Sequence, residues 1–169
     1  MFYQTETLKL TSRAPEFALE SAKNDRLVHT LSGFLRRGTL VLEFLRGTWC
    51  PNCRLRLAEV EQVREQVHRA GAELAFIAAE KRDGVFRPDK FLEKQPISFP
   101  FLLDEDRSVT KAYGLYHRLG IDAWNIAHPA TVIVDQQRII RFIYRGEDQS
   151  DRAPLANVME ALRGLPRIP

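Results

Sequence analysis

Trp49-Cys50-Pro51-Asn52-Cys53 stands between two strongly patterned segments, and that position constrains the chain more than any other feature. Before it, Thr39 to Leu45 is near-continuously apolar and rich in strand formers, as expected of a strand covered on both faces of a mainly parallel sheet. After it, Leu57, Val60, Val63 and Val67 recur at steps of three, three and four, the apolar face of a helix ending at Gly71. Pro51 suits the first helical position, which puts Cys50 at the cap and Cys53 one turn further in on the same side. A thiolate at the cap faces unpaired backbone N–H groups and the positive end of the helix dipole, so Cys50 is the expected attacker and the more enclosed Cys53 the resolving thiol.

These two cysteines are the whole supply, and a spacing of three closes no loop worth stapling. They are there for redox chemistry or for a metal. A closed zinc site needs four ligands, yet no second CxxC exists and His29, His68, His117 and His128 are dispersed. A Cu(I) or zinc carrier using the two thiolates stays open as a non-enzymatic alternative, since soft sulfur ligands suit Cu(I). The redox reading calls for no cofactor and no metal.

The remaining elements alternate. Phe17–Leu19 and Arg26–His29, around a turn at Lys23-Asn24-Asp25, read as an N-terminal hairpin, with a brief helical turn before Gly38. Leu74–Ala79 is a second strand, Pro88 opens a short helix carrying Phe91 and Leu92, and Phe99–Leu103 is extended. Asp104 or Asp106 caps a helix bearing Val109, Ala112 and Tyr113. Pro129–Asp135 and Ile139–Tyr144 pair as a hairpin about Gln136-Gln137. Ser150 or Asp151 caps a last helix with Pro154 in its first turn and Leu155, Val158 and Leu162 facing the core.

A length of 169 residues, with no repeat or low-complexity linker, predicts one domain spanning 1–169. With 44% hydrophobic residues the chain has enough apolar surface for a core of its own. Twenty-five Lys plus Arg against 22 Asp plus Glu leave a net charge of +3 with mixed signs, which argues against nucleic acid as a partner. No apolar run approaches the ~20 residues of a membrane span. The first twenty residues carry no basic start followed by an apolar stretch, so the expectation is a cytoplasmic protein with no membrane partner.

Several segments also carry a resemblance. VLEFLRGTWCPNC, the Ala14-Pro15-Glu16-Phe17 entry, Phe99-Pro-Phe-Leu-Leu-Asp104 with Ala112-Tyr113-Gly114, and His128-Pro129-Ala-Thr-Val-Ile-Val-Asp135 resemble the thioredoxin-fold redoxins of the alkyl hydroperoxide reductase/thiol-specific antioxidant (AhpC/TSA, peroxiredoxin-like) family. The resemblance implies an α/β thioredoxin-like fold, a central mixed sheet flanked by helices, to which the N-terminal hairpin is an extension. It implies a thiol–disulfide oxidoreductase cycling a Cys50/Cys53 dithiol and disulfide. Thiol-dependent hydroperoxide reduction, an antioxidant activity, is the alternative. Substrates are then protein or small-molecule disulfides or hydroperoxides, and the reductant is of the thioredoxin or glutathione type. The peroxiredoxin branch resembles Pro-x-x-x-Thr/Ser-x-x-Cys at its attacking cysteine. Counting back from Cys50 gives Gly47 and Glu43, and from Cys53 gives Cys50 and Arg46, so neither frame fits.

Family position makes Pro129 a cis-proline opposite the CxxC, where a cis bond would turn neighbouring backbone groups toward a substrate chain. Glu43 is a lone acid in an apolar strand, costly to bury unless protonated or paired; the resemblance to thioredoxins, where an acid beneath the CxxC relays protons, makes it the candidate relay, with a solvated strand position the alternative. Arg46 is placed to lower the thiolate pKa from the loop, Thr48 and Arg46 are the nearest donors for a departing peroxide oxygen, Trp49 is a lid, and His128 is positioned to touch the disulfide.

Overall fold

The computed structural model describes residues 3–119 and 124–165. The N-terminal hairpin is β1 (Ala18–Ser21) and β2 (Val28–Thr30), followed by α1 (Leu31–Leu35), whose Gly33 N–H is capped by the Thr30 hydroxyl. β3 (Thr39–Leu45) leads into α2 (Pro51–Gln62), α3 (Arg64–Arg69) and β4 (Ala72–Ala78). Then come α4 (Pro88–Lys94), β5 (Phe101–Leu103), α5 (Ser108–Ala112), β6 (Tyr116–Leu119), β7 (Trp124–Ala127), β8 (Ala130–Val134), β9 (Ile140–Arg145) and α6 (Leu155–Arg163).

Seven strands form one mixed sheet in the order β2-β1-β5-β4-β3-β8-β9, and β6 and β7 form a separate ribbon. The apolar run is internal, as its composition requires: β3 pairs in parallel with β4 and antiparallel with β8. Strand alternation divides it between two cores. Leu40, Leu42 and Phe44 join α1 and Tyr113 on one face, while Val41 and Leu45 join Leu57, Val60, Val158 and Leu162 on the other. Glu43 shares the second face, so the pleat aims it at α2. The hairpin extension is stitched into the main sheet through β1 and β5.

Three local expectations change. The single helix after Cys50 is divided at Val63 (φ −100°, ψ 5°), whose N–H reaches Val60 O three residues back. Val63 is β-branched and half-buried, so neither propensity nor packing holds it in regular α geometry. Pro154 itself is the cap of α6. Ser150 and Asp151 are engaged in the preceding loop, where Asp148 accepts both their N–H groups and Asp151 binds the Tyr144 hydroxyl. The β6–β7 ribbon has no counterpart in the sequence pattern, because its short polar strands show no sustained alternation of the kind that marks a half-buried sheet. Asp104 and Asp106 both serve α5, Asp104 taking the N–H groups of Val109 and Thr110 and Asp106 that of Ser108.

Candidate active site

The loop from β3 to α2 turns tightly enough to deliver Cys50 to a helix terminus. Gly47 has φ +155°, and a Cβ there would overlap the Trp49 indole, so only glycine admits this turn. Cys50 N–H then closes onto Gly47 O at 3.2 Å. Cys50 is the N-cap of α2 (φ −80°, ψ 120°) with Pro51 at the first helical position, and its side chain makes no conventional cap bond to an oxygen or nitrogen. The groups that act on the sulfur electrostatically are the Cys53 thiol and backbone N–H and the guanidinium groups of Arg46 and Arg152.

Those contacts split the two thiols. The hydrogen bond from Cys53 is the largest cause that pushes the Cys50 pKa down to about 5; burial opposes it, and the Cys53 N–H and the charges of Arg46 and Arg152 assist. The same bond, with burial, pushes the Cys53 thiol up. Cys50 is therefore a thiolate at neutral pH and Cys53 its proton-bearing neighbour. Both are fully buried, in a core against which the half-buried Trp49 packs. Arg46 donates to Gln149 Oε1 at 2.8 Å, lies 4.0 Å from Cys50 Sγ, and stacks 4.9 Å from the Trp49 ring centre. From the other side Arg152 Nη2 reaches Cys53 Sγ at 3.2 Å.

Of the residues singled out from sequence, the structure thus brings Arg46, Trp49, Cys50 and Cys53 together. Thr48 is adjacent, but its hydroxyl and N–H both donate to Glu80, at 2.9 and 2.8 Å, rather than facing a sulfur. Glu43 is gripped by Arg56 through two bonds of 3.1 and 2.7 Å and accepts from the Thr131 hydroxyl at 3.0 Å. His128 stacks on His117, ring centres 4.5 Å apart and planes 8° from parallel. Burial first, then the nearby His117 and Arg145, lowers its pKa to about 4. The expectation of a cis bond before Pro129 is corrected: among the described residues no peptide is cis, so His128–Pro129 is trans. Trans is favoured by about 0.5–1 kcal/mol for such bonds. In this arrangement His128 N–H donates to Leu115 O and Pro129 O accepts from Gly146 N–H, so both groups are used within the fold.

From sequence, the basic turn Arg54-Leu-Arg56 and the mixed-sign run Glu80-Lys-Arg-Asp83 read as solvated faces; that is corrected for Arg56 and Glu80, which are buried, while Gln149 and Arg152 stand out in no sequence pattern at all. Arg56 did leave a signal, an arginine beside Leu57 on the buried face of α2, three residues after Cys53. Arg152 and Gln149 left none, being about a hundred residues away in a polar loop. Among the described residues no group of three or more His, Cys, Asp or Glu converges on a common point.

Residues 10–143 match the model of the AhpC/TSA family. The chain is 25% identical over 114 residues to thiol-disulfide oxidoreductase ResA of Geobacillus thermodenitrificans, covering 68% of this chain and 62% of that protein. It is 20% identical over 151 residues to ResA of Bacillus cereus, covering 89% and 78%. The chain thus spans less than two thirds of the Geobacillus protein. Among solved structures, peroxidoxin BcpB from Mycobacterium tuberculosis superposes with a TM-score of 0.81 at 19% identity, covering 95% of this chain and 99% of that one. A peroxiredoxin-like protein from Aquifex aeolicus gives 0.79 at 15% identity, covering 95% and 90%. At these identities the solved structures establish the fold, a thioredoxin-like mixed sheet flanked by helices.

Proposed function

This chain belongs to the AhpC/TSA family, and on that premise we propose that it is a thiol–disulfide oxidoreductase working as one thioredoxin-like domain. The observation that carries the reading is the polarised pair itself, a cap-positioned Cys50 thiolate hydrogen-bonded by the Cys53 thiol. Cys50 Sγ attacks one sulfur of a substrate disulfide, the substrate S–S bond breaks, and the departing thiolate is protonated. Cys53 then loses its proton and attacks Cys50 Sγ, which releases the second substrate thiol and leaves a Cys50–Cys53 disulfide. Arg152 stands where charge develops on Cys53 in that second step. A thioredoxin- or glutathione-type dithiol or thiol restores the reduced pair, which supports a cytoplasmic setting. Because both sulfurs are buried, a substrate must first displace groups packed against them, among them the Arg46–Gln149 pair beside Cys50.

No helix among the described residues is long and apolar enough to cross a membrane. Turnover resolves the order of attack: Cys53→Ser accumulates mixed disulfides through Cys50, and Cys50→Ser falls to background. Near-normal turnover by Cys50→Ser would make Cys53 the nucleophile.

One observation favours thiol-dependent peroxide reduction as a second reading. Two guanidinium groups, Arg46 and Arg152, approach the sulfurs, as stabilisation of a departing oxygen requires. The hydroxyl that would complete the donor set, that of Thr48, is committed to Glu80. Parallel assays of a protein disulfide and hydrogen peroxide, with thioredoxin as electron donor, separate the two. Peroxide kcat/KM above about 10⁴ M⁻¹s⁻¹ without disulfide turnover would overturn the oxidoreductase reading.

A further inference from the structure

Beside Trp49 opens a cleft of about 340 Å³ that the chemistry described above does not use. Its walls come from three places: the CxxC loop, the segment after β4, and the β6–β7 ribbon with Arg107. Three of its lining residues are large, apolar and exposed: Val85 at 93%, Trp124 at 76% and Phe86 at 57%. Phe86 leans on Trp49 with ring centres 5.9 Å apart, so the apolar surface is continuous with the residue that precedes Cys50. Singly exposed apolar residues need no explanation, but three converging on one cleft beside a reactive centre do.

Two cations and one acid line the cleft, and the acid, Glu80, already lies in the field of Arg107. Lys81 and Arg107 line it, and among the described residues neither has a carboxylate within ion-pair distance; Arg107 donates only to the backbone oxygens of Asn125 and Glu105. The one acid in the lining, Glu80, directs its carboxylate into the N–H and hydroxyl of Thr48. An occupant that satisfies this surface combines an apolar group with a negative charge. The apolar side chains project from the rim instead of enclosing a chamber, the form of a protein-binding hot spot rather than of a pocket that engulfs a small ligand.

We propose that this cleft docks the polypeptide that carries the substrate disulfide, taking an extended segment with an aromatic residue beside its half-cystine and an adjacent carboxylate for Lys81 and Arg107. The inference rests on the thiol–disulfide reading and names its substrate class. A half-cystine presented to Cys50 lies next to Trp49, and successive residues of an extended strand advance about 3.3 Å each, so flanking side chains fall within the cleft.

The test separates docking from chemistry. Calorimetry measures binding of the cysteine-free peptide Gly-Asp-Phe-Ser-Glu-Gly and of a control with lysine for both acids and glycine for phenylalanine. The acidic aromatic peptide binds at least tenfold more tightly than the control, Trp124→Ala and Lys81→Glu each remove most of that advantage, and Leu27→Ala, an exposed site elsewhere, leaves it within twofold. The same peptide with cysteine for serine, supplied as its disulfide dimer, is turned over with at least tenfold higher kcat/KM than glutathione disulfide. The proposal is overturned if the two peptides bind alike, if the advantage survives in Trp124→Ala and Lys81→Glu, if the peptide disulfide has no kinetic advantage, or if sedimentation shows a dimer that Trp124→Ala dissociates, which would assign the surface to a second copy of this chain. Binding of the cysteine-free peptide without turnover of any disulfide would remove the oxidoreductase reading and, with it, the assignment of the docked peptide as substrate.

Discussion

Two buried glutamates brace the CxxC, one within β3 and one just past the end of its parallel neighbour β4, and they are held in opposite ways. Glu43, in the middle of β3, has a counter-ion: Arg56 reaches it from the helix that follows the cysteines, and the Thr131 hydroxyl completes the shell. Glu80, two residues past the end of β4, has among the described residues no cation within ion-pair distance and is held by Thr48, in the loop that precedes the cysteines. Burial raises its pKa, with the Thr48 bonds opposing. The residue type and the burial are alike; the partner differs. A cation fixes a buried carboxylate as a strut, whereas an amide and a hydroxyl leave its proton negotiable.

The largest expected effect tests the strut. Glu43→Gln leaves the buried Arg56 with only the exposed Glu59, 3.6 Å away, as a carboxylate partner, and chemical denaturation should show a loss of up to about 3–5 kcal/mol. The double variant Glu43→Leu/Arg56→Leu removes both charges and should recover more than half of that. A double variant as unstable as the single one would mean that shape, not charge, is what β3 and α2 require there.

A smaller cost is expected at Glu80. Glu80→Ala deprives the Thr48 N–H and hydroxyl of their acceptor, worth about 1–3 kcal/mol for a buried donor left unmatched. Glu80→Gln keeps an acceptor and costs less. Equal losses for Glu43→Gln and Glu80→Gln would erase the contrast.

The pH dependence sharpens it further. A carboxyl whose folded pKa is raised binds its proton more tightly in the folded state, so its contribution to stability is fully present below the unfolded value of about 4.3 and is lost as pH rises through the folded value. Wild-type stability should decline across that window relative to Glu80→Gln. Parallel stability curves for the two proteins would show that Glu80 does not hold the extra proton.

The smallest effect concerns the sulfur. Neither glutamate is among the groups that depress Cys50, whose alkylation should rise with pH through about 5 and level off above it. Cys53→Ser should move that midpoint upward most, since the Cys53 hydrogen bond is the largest cause, and Arg46→Ala should move it upward less. Glu80→Gln should leave it in place. A larger shift in Glu80→Gln than in Arg46→Ala would make Glu80 part of the thiolate's electrostatics rather than a brace for its loop.

How much of this was legible in the sequence differs element by element. β3 runs from Thr39 to Leu45, the span its composition predicts, and both hairpins and the Pro88 helix start fall where turn and proline chemistry place them. Those features rest on local rules. Within the site, a lone acid in an apolar strand singled out Glu43, yet its partner Arg56, only thirteen residues on, read as part of a solvated basic turn. Glu80 read as solvated because it opens the mixed-sign run Glu80-Lys-Arg-Asp83, whereas its side chain is buried. The trans bond at Pro129 shows the limit of arguing from family position: the hydrogen bonds of His128 and Pro129 to Leu115 and Gly146 come from distant parts of the chain.

The sequence by itself determined the strand, the glycine turn, the proline-started helix and two cysteines one turn apart on it, because each depends on neighbours within a few residues. That is enough to set which thiol sits at a helix cap. Only the tertiary structure decided what surrounds the pair. Gln149 and Arg152 arrive from the loop before α6, Glu80 from the end of β4, and the Trp49 cleft is assembled from three separate segments. Contacts between residues dozens to a hundred positions apart depend on how the sheet orders its strands and where each loop crosses its edge, and no local periodicity encodes that.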